Sequence, residues 1–534
     1  MKKKIVLLIL IFSFFVFSNT LIFNNKAFYI NSNWANEEIL KQLGFRFVKN
    51  DKIFMVFNND LFIGKDGDFT LNFEKTFNNA YKIDDSVLYI NLDFLKNYLK
   101  LKIFEKDKEK IYYDKLPELK SINLEENNLS LYFSSEISKE LLNLEIDNRD
   151  LIITIEPILG DPLIIGNINF QKAKNKILIF MLNNKLKPVP IISYQKNIVK
   201  ITLNFTEEEK RIIKNGLIWE RKVEKFNNEK YLINYLKIDP KKVEIIPVIS
   251  SKGIGTREDL REILKANNCI AGINANYFDP STNLPIDLII KDGKILSDKY
   301  SLRPTFIITY TNEVFIKRIN LEINIYLGDL LFLVKGVNTI AKGEVLLYTD
   351  EFSLKIPKDE EKVYYQIKDN KIISIGYIEN APEGAMVLSI SKKYEKYLSN
   401  VTPGTKIDLV LNSDFPFPIK HAIGAGPLLI ENGKKLIDSS EEKLRYSNGL
   451  ALSKTTRTII AITKEGRVDF IVIEGYNNTG GMNYDIATDF LISKGYFYAM
   501  MLDGGGSGAM VIQNEVVNQD GQIQRGIPVG LGIK

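Results

Sequence analysis

In the stretch AMMLDGGGSGAMVI, residues 499–512, an apolar run ends in one acid, three consecutive glycines and a serine, then resumes. Glycine loses more backbone entropy on folding than any other residue, so three in a row between strand-like runs mark a close approach of the backbone to something. The pattern predicts a strand ending at Asp503, a tight loop, and a hairpin through AMVIQNEVVN (509–518).

Upstream, RTIIAIT (457–463) and RVDFIVIE (467–474) read as two strands joined by a turn at Lys464–Arg467. If Thr463 pairs with Val468, counting back sets Arg457 opposite Glu474. Between this hairpin and the glycine loop, MNYDIATDFLISKG (482–495) is an amphipathic helix capped by Asn483 and ended by Gly495. Strand, helix and strand with short joints predict a parallel crossover, with Glu474 and Asp503 at the same sheet edge. Adjacent strands would set the two carboxylates roughly 5 to 10 Å apart, with Arg457 beside them. Parallel sheets place ligands at such an edge.

The glycine loop has rival explanations. Gly504, Gly506 and Ala509 formally satisfy a dinucleotide fingerprint, but that motif needs a helix next, and a hairpin follows. A P-loop needs Gly-Lys-Ser/Thr, and no lysine follows. A plain tight turn and an anion-binding loop remain, the latter with Ser507 adding a hydroxyl.

Farther out, TREDLREILKANN (256–268) predicts a helix capped by Thr256 with Asp259 completing a capping box. CIAGI (269–273) is a buried strand that stops at Asn274, and LIIKDGKIL (288–296) is a hairpin with Asp-Gly at its turn. TEEEKRIIKNG (206–216) reads as a short charged helix.

The bulk composition bounds the rest. At 534 residues the chain exceeds one core, and two to four domains are expected. Hydrophobic residues make up 45% and charged ones 26%, as in ordinary globular proteins. The net charge of +5 is small and carries no basic stripe, which argues against a nucleic-acid partner. One cysteine, Cys269, excludes an intrachain disulfide, and one histidine, His421, excludes a multi-histidine zinc site. Three lysines and an apolar run from Ile5 to Phe17 read as an export signal or N-terminal anchor over 1–23. The protein is therefore expected outside the cytoplasm, secreted or held at the outer face of the membrane.

Residues 36–114, with VLYINLDFLKNYLKLKIFEKDKEKIYY (87–113) as strand, helix and hairpin, loosely resemble the copper amine oxidase N-terminal-like domain. No metal-ligand cluster is present there, so an accessory role in membrane or cell-wall association is expected. Residues 115–205 alternate as a β-rich module.

The closing segment AMMLDGGGSGAMVIQNEVVNQDGQIQRGIPVGLGI (499–533) is similar to the signature of the phosphodiester glycosidase family, the N-acetylglucosamine-1-phosphodiester α-N-acetylglucosaminidase-like group with its exopolysaccharide-related bacterial branch. AGINANYFDP (271–280), KHAIGAGPLLIENGK (420–434), RTIIAIT and GGMNYDIATDFLISKGY (480–496) appear as further landmarks in order. Two positions depart from the family: Ala275-Asn276 stands for a double glycine, and GYNNTGG (475–481) replaces an acid, a glycine and an arginine.

The resemblance implies a domain over 214–534 that hydrolyses a sugar-1-phosphodiester at the anomeric C–O bond. The expected fold is α+β, with layered mixed sheets flanked by helices behind small β-rich accessory domains. Asp503 and Glu474 are the candidate nucleophile and base, in either order, and His421 a candidate acid/base. Arg457 and the backbone around Gly504, Gly505, Gly506 and Ser507 would hold the phosphoryl oxygens, and Asn274 a sugar hydroxyl. Asp287 could line the cleft or cap a strand. Asp485 could bind a cation or favour its helix N-terminus; the latter reading is taken, so no metal is expected, nor is a cofactor. A noncatalytic surface module that binds phosphosugar polymers is the alternative.

Overall fold

Side-chain alternation at period two dominates the chain. In the computed structural model strand makes up 53% of it and helix 10%, so the fold is mostly β and the expected α+β architecture is incorrect. The structure describes residues 19–24, 26–30, 32–106, 109–137, 139–147, 149–181, 186–298, 303–437, 449–476, 480–518 and 525–534. They form two compact units, 1–206 and 207–534.

In the first unit, the strand Val87–Asn91, the helix Leu92–Leu99 and the hairpin Lys102–Lys106 with Glu109–Tyr113 follow in the expected order. Asn91 caps that helix by accepting from the Asp93 N–H at 2.8 Å. One core gathers around Phe62, Phe69, Leu88 and Phe94. A second, around Leu131, Ile153, Ile179 and Val199, belongs to residues of the 115–205 module. Residues 1–18 of the expected leader lie outside the described residues, whereas Asn19–Phe23 form a strand beside Ile111–Tyr113.

The second unit stacks its sheets face to face. The largest has eight strands, among them, side by side, Glu229–Ile238, Val468–Gly475, Arg457–Ile462 and Tyr498–Met501. A five-stranded sheet brings Ala271–Asn274 between Val529–Ile533 and Met510–Ile512. Another five-stranded sheet centres on Ile419–Gly424. One core joins all three, with Trp219, Ile460, Val472 and Met500 meeting Ile273 and Leu531 on one side and Phe306 and Ile423 on another. Alternation sends Ile459, Ala461 and Ile473 to the opposite face, where they pack on the helix Tyr484–Ser493. The helix Leu260–Ala266 covers the outer face of the second sheet. These helices of ten and seven residues are too short to make a flanking layer.

Four local expectations are corrected. Among the described residues every strand-to-strand pairing in the second unit is antiparallel, isolated bridges aside, and Arg457–Ile462 lies between Val468–Gly475 and Tyr498–Met501. The predicted crossover strands therefore run parallel without touching. The hairpin register is Ile462 with Val468 and Arg457 with Ile473, one residue from the expectation, because Thr463 joins a turn closed at Gly466 with φ +82°. Glu208–Lys214 is a strand, since its charges pair across to the neighbouring strand: Lys222 meets Glu208 at 2.9 Å and Lys210 meets Glu220 at 3.1 Å. Asp259, which accepts from the Arg261 N–H at 2.8 Å, caps the next helix, while Thr256 donates to the Gly253 carbonyl.

Asn483 caps its helix as expected, accepting from the Ile486 N–H at 2.8 Å. Asn483→Ala should lower stability by about 1 kcal/mol. Urea unfolding of the two proteins checks it.

Candidate active site

The glycines first answer to the protein's own backbone. A Cβ on Gly504 would sit 2.7 Å from the Thr456 carbonyl oxygen, and one on Gly508 2.7 Å from Thr456 Cγ2. From the other side, a Cβ on Gly481 would lie 2.1 Å from the Thr455 carbonyl oxygen and one on Gly480 2.5 Å from that of Lys454. The main chain of Lys454–Thr456 thus passes between two glycine pairs. Gly505 adopts φ +57°, and only Gly506 is exposed, its nearest neighbour for a Cβ being Arg525 Cδ at 3.9 Å.

Asn274 fixes this loop to both sheets. Its Nδ2 donates to the Asp503 carbonyl at 2.6 Å, and its Oδ1 accepts from Thr458 Oγ1 and from the Ala509 N–H, both at 2.9 Å. Both ends of the loop are therefore tied to one buried amide. With both lone pairs of Oδ1 engaged, Asn274 braces the loop. The loop's N–H groups are also engaged: Gly505 donates to Thr456 at 2.8 Å, Ser507 to Gly504 at 3.1 Å and Gly508 to Gly505 at 3.1 Å. The backbone at Gly505 and Ser507 therefore offers no free N–H to a ligand, and the expected anion cradle is reduced to Gly506.

Asp503 heads the loop with part of its surface open. Burial of its carboxyl raises its pKa to about 6, against the opposing pull of the Ser507 hydroxyl, the Arg525 charge and the Gly504 N–H. The buried Ser507 Oγ forms no hydrogen bond of normal geometry, so its effect on Asp503 is a dipole at close range. A carboxyl with this pKa is mostly ionised at neutral pH and can still exchange a proton there.

The other candidates are placed elsewhere. Arg457 is buried and donates to the carbonyls of Met482 at 2.8 Å, Leu450 at 3.0 Å and Ser453 at 2.6 Å. Its guanidinium carbon stands 4.5 Å from the centre of the Tyr484 ring. It anchors the segment before its own strand rather than facing Glu474. Glu474 projects from the opposite face of the sheet, where Asn234 Nδ2 reaches it at 3.5 Å. With one strand interposed, the Glu474 and Asp503 backbones are two strand spacings apart, about 10 Å.

His421 is fully buried and sits three residues before Gly424, some 10 Å along the strand from the Asn276 contact described below. Its Nδ1 accepts from the Asp292 N–H at 3.1 Å, and burial lowers its pKa to about 4, so it is neutral near pH 7. Asp485 is exposed and pairs with Lys435 at 3.2 Å. Among the described residues no three His, Cys, Asp or Glu side chains gather as a metal site.

Several residues at this site were not legible in the sequence. The Tyr277 hydroxyl donates to the Gly426 carbonyl at 2.8 Å and lies 3.5 Å from the Tyr484 hydroxyl, linking the strand end after Asn274 to the Arg457 anchor. Arg303, buried, lies over the Tyr277 ring at 5.3 Å. Asn276 donates to the Gly424 carbonyl at 2.8 Å. Beside it Asp287 holds φ +87° and occupies the space a Gly424 Cβ would need, 2.7 Å from Oδ1. Asp287 also lines a cavity of about 660 Å³, with Asp279, Asp298, Asn338, Thr339 and Lys342 on its walls. Such a volume suits a small polar ligand. The sequence pointed here through the AGINANYFDP landmark with its departure at Ala275-Asn276 and through Asp287 as a cleft candidate, but not to these contacts.

Residues 357–534 match the model of the phosphodiester glycosidase family. This segment contains Asp503, the glycine loop and Arg457, and it leaves Asn274 and Tyr277 outside. No curated protein matches the sequence. Among solved structures, a hypothetical protein from Synechocystis aligns with TM-score 0.61 at 13% identity, over 97% of this chain and 99% of its own. That likeness shows a shared fold. An exported protein of Burkholderia pseudomallei aligns with TM-score 0.47 at 13% identity, covering 79% of this chain and 97% of its own. The zebrafish N-acetylglucosamine-1-phosphodiester α-N-acetylglucosaminidase catalytic domain, auto-inhibited by its pro-peptide, aligns with TM-score 0.36 at 15% identity, covering 62% and 84%.

Gly481→Ala should destabilise by about 3 kcal/mol or more, since its Cβ meets rigid backbone, whereas Gly506→Ala should change stability by less than about 0.5 kcal/mol. Chemical denaturation of the two variants tests this asymmetry.

Proposed function

We propose that the second unit hydrolyses sugar-1-phosphodiester linkages and that Asp503 is its reacting carboxylate. The observation that carries this reading is the desolvated Asp503 carboxyl, at the head of a loop braced by Asn274, inside the segment that matches the phosphodiester glycosidase family. The anomeric C–O bond breaks, its electron pair leaves with the phosphomonoester, and water adds its oxygen to the sugar carbon. A phosphate leaving group is stable as an anion and needs little protonation, which suits a chain whose only histidine is fully buried. Asp503 acts ionised, attacking the anomeric carbon or drawing the proton from the attacking water. An export signal or anchor within residues 1–23 would deliver the enzyme to surface or extracellular polysaccharide, with the first unit as an accessory for membrane or wall association.

One observation favours the noncatalytic alternative. Glu474 lies on a strand that is separated by a third from the one leading into Asp503, so these two backbones are set wider apart than the adjacent strands expected for a close carboxylate pair. Turnover separates the readings. The full chain and its Asp503→Asn variant should be compared on a panel of sugar-1-phosphate diesters. The variant should lose at least about 100-fold in kcat/KM while binding persists. Equal turnover in both would remove Asp503 from the chemistry, and binding without turnover of any substrate would leave a binding module.

Two pH effects follow from the raised carboxyl. Activity should rise with pH through about 6 as Asp503 ionises, a limb absent from any residual activity of the variant. Stability should change in the opposite direction. Because the folded-state pKa lies above the unfolded value, the native protein holds the proton longer, and stability falls as pH rises from about 4 through about 6. Asp503→Asn should therefore unfold at a higher temperature than the parent at pH 7 and at nearly the same temperature at pH 4, as calorimetry can show.

A further inference from the structure

A phosphodiester brings a negative charge that the site must hold, and the groups expected to hold it are engaged within the protein. Arg457 donates to three main-chain carbonyls, and Gly505 and Ser507 donate to their own loop. Two other guanidiniums stand at the rim. Arg257 lies 5.6 Å and Arg525 5.2 Å from the centre of the Phe278 ring. Phe278 itself is 8% exposed, whereas both arginines are exposed. Their positions are fixed by main chain. Glu258 and Ile527 exchange N–H···O=C bonds of 3.0 and 2.9 Å, and a Cβ on Gly526 would lie 3.3 Å from Arg257 Cβ.

The setting favours an anion. Arg525 Cδ is the nearest atom to the open face of Gly506, the one loop residue with room above it, and its charge reaches the Asp503 carboxyl. Neither arginine has a carboxylate within 4.0 Å among the described residues, whereas Arg211 and Arg261 in the same unit each pair with an acid at 2.6 Å. Stacking on one ring restrains both side chains before anything binds, which reduces the ordering cost of holding a ligand. Guanidinium also matches phosphoryl oxygens in a planar, two-pronged geometry that ammonium lacks.

We infer that Arg257 and Arg525, stacked on Phe278 beside Gly506, form the binding site for the phosphoryl group of the substrate. This rests on the proposed hydrolysis for its location and on the arginine pair for its chemistry. The arrangement holds the charged leaving group over Asp503 from the solvent side, while Arg457 remains a positioning residue within the fold. Because both cations are exposed, the attraction is screened by salt.

The test uses the full chain, Arg257→Gln, Arg525→Gln and the double variant, with thermal unfolding of each as the control for the lost stacking on Phe278. Each is assayed on a sugar-1-phosphodiester and on the neutral 4-nitrophenyl glycoside of the same sugar, and each is titrated calorimetrically with inorganic phosphate and with glucuronate. Each single variant should raise KM for the phosphodiester about tenfold and the double variant more, with a loss in kcat/KM on the phosphodiester at least about fivefold greater than on the neutral glycoside. Phosphate binding should weaken in parallel and should weaken in the parent as salt rises. An unchanged KM and phosphate affinity in the double variant would overturn the assignment, as would equal losses on the neutral glycoside. Tighter binding of glucuronate than of phosphate would also overturn it, indicating a carboxylate site. If the parent turns over neither substrate yet binds phosphate through these arginines, the hydrolysis fails and the anion site stands.

Discussion

The constraint on which the site depends is the passage of one extended segment between two glycine pairs. Lys454–Thr456 leads into the strand that begins at Arg457, and it has backbone, not side chains, on both flanks: Gly480-Gly481 on one and Gly504 with Gly508 on the other. Only residues without a Cβ permit that approach, so most of the glycines in the two motifs are accounted for by internal packing. The approach is sealed by main-chain bonds, with Gly505 donating to Thr456 and Thr455 bridged to Met482. Asn274 closes the arrangement by holding both ends of the glycine loop and Thr458 at once. Four segments distant in sequence therefore converge on a point from which Asp503 emerges.

This convergence divides the polar groups into two sets. Buried Arg457 satisfies carbonyls that would otherwise be left unpaired, which explains a charged side chain with almost no surface. The desolvation that such packing imposes on Asp503 raises its pKa, and the cost in stability is the expected counterpart of a reactive carboxyl. Cations that remain available to a ligand sit outside the packed layer, on Phe278. On the proposed function, reactivity belongs to the interior of the loop and charge recognition to its rim.

How far this was legible in the sequence varies with the physical scale. Local signals held where one residue decides the geometry: Asn483 as a cap, and Asp292-Gly293 as a hairpin turn with both φ positive. They failed where pairing partners decide. The charged run at 208–214 has no helical requirement once Lys222 and Glu220 stand opposite it in a sheet. The parallel crossover failed because nothing in a strand, helix and strand pattern reveals that the Arg457 strand inserts between the two ends. A single extra residue in the turn at Gly466 then sent Glu474 and Arg457 to opposite faces. Asp503 and its loop stood out because acid and glycines are contiguous. The roles of Tyr277, Phe278, Arg257 and Arg525 did not, because the segment after the Ala271–Asn274 strand, which carries the first two, meets the arginines only through long-range contacts.

The most direct test of the account is hydrolysis of a sugar-1-phosphodiester in oxygen-18 water, followed by mass analysis of both products. Cleavage at the anomeric carbon predicts one labelled oxygen on the released sugar and none on the phosphomonoester. Label on the phosphomonoester would mean attack at phosphorus and would contradict a glycosidase acting through Asp503.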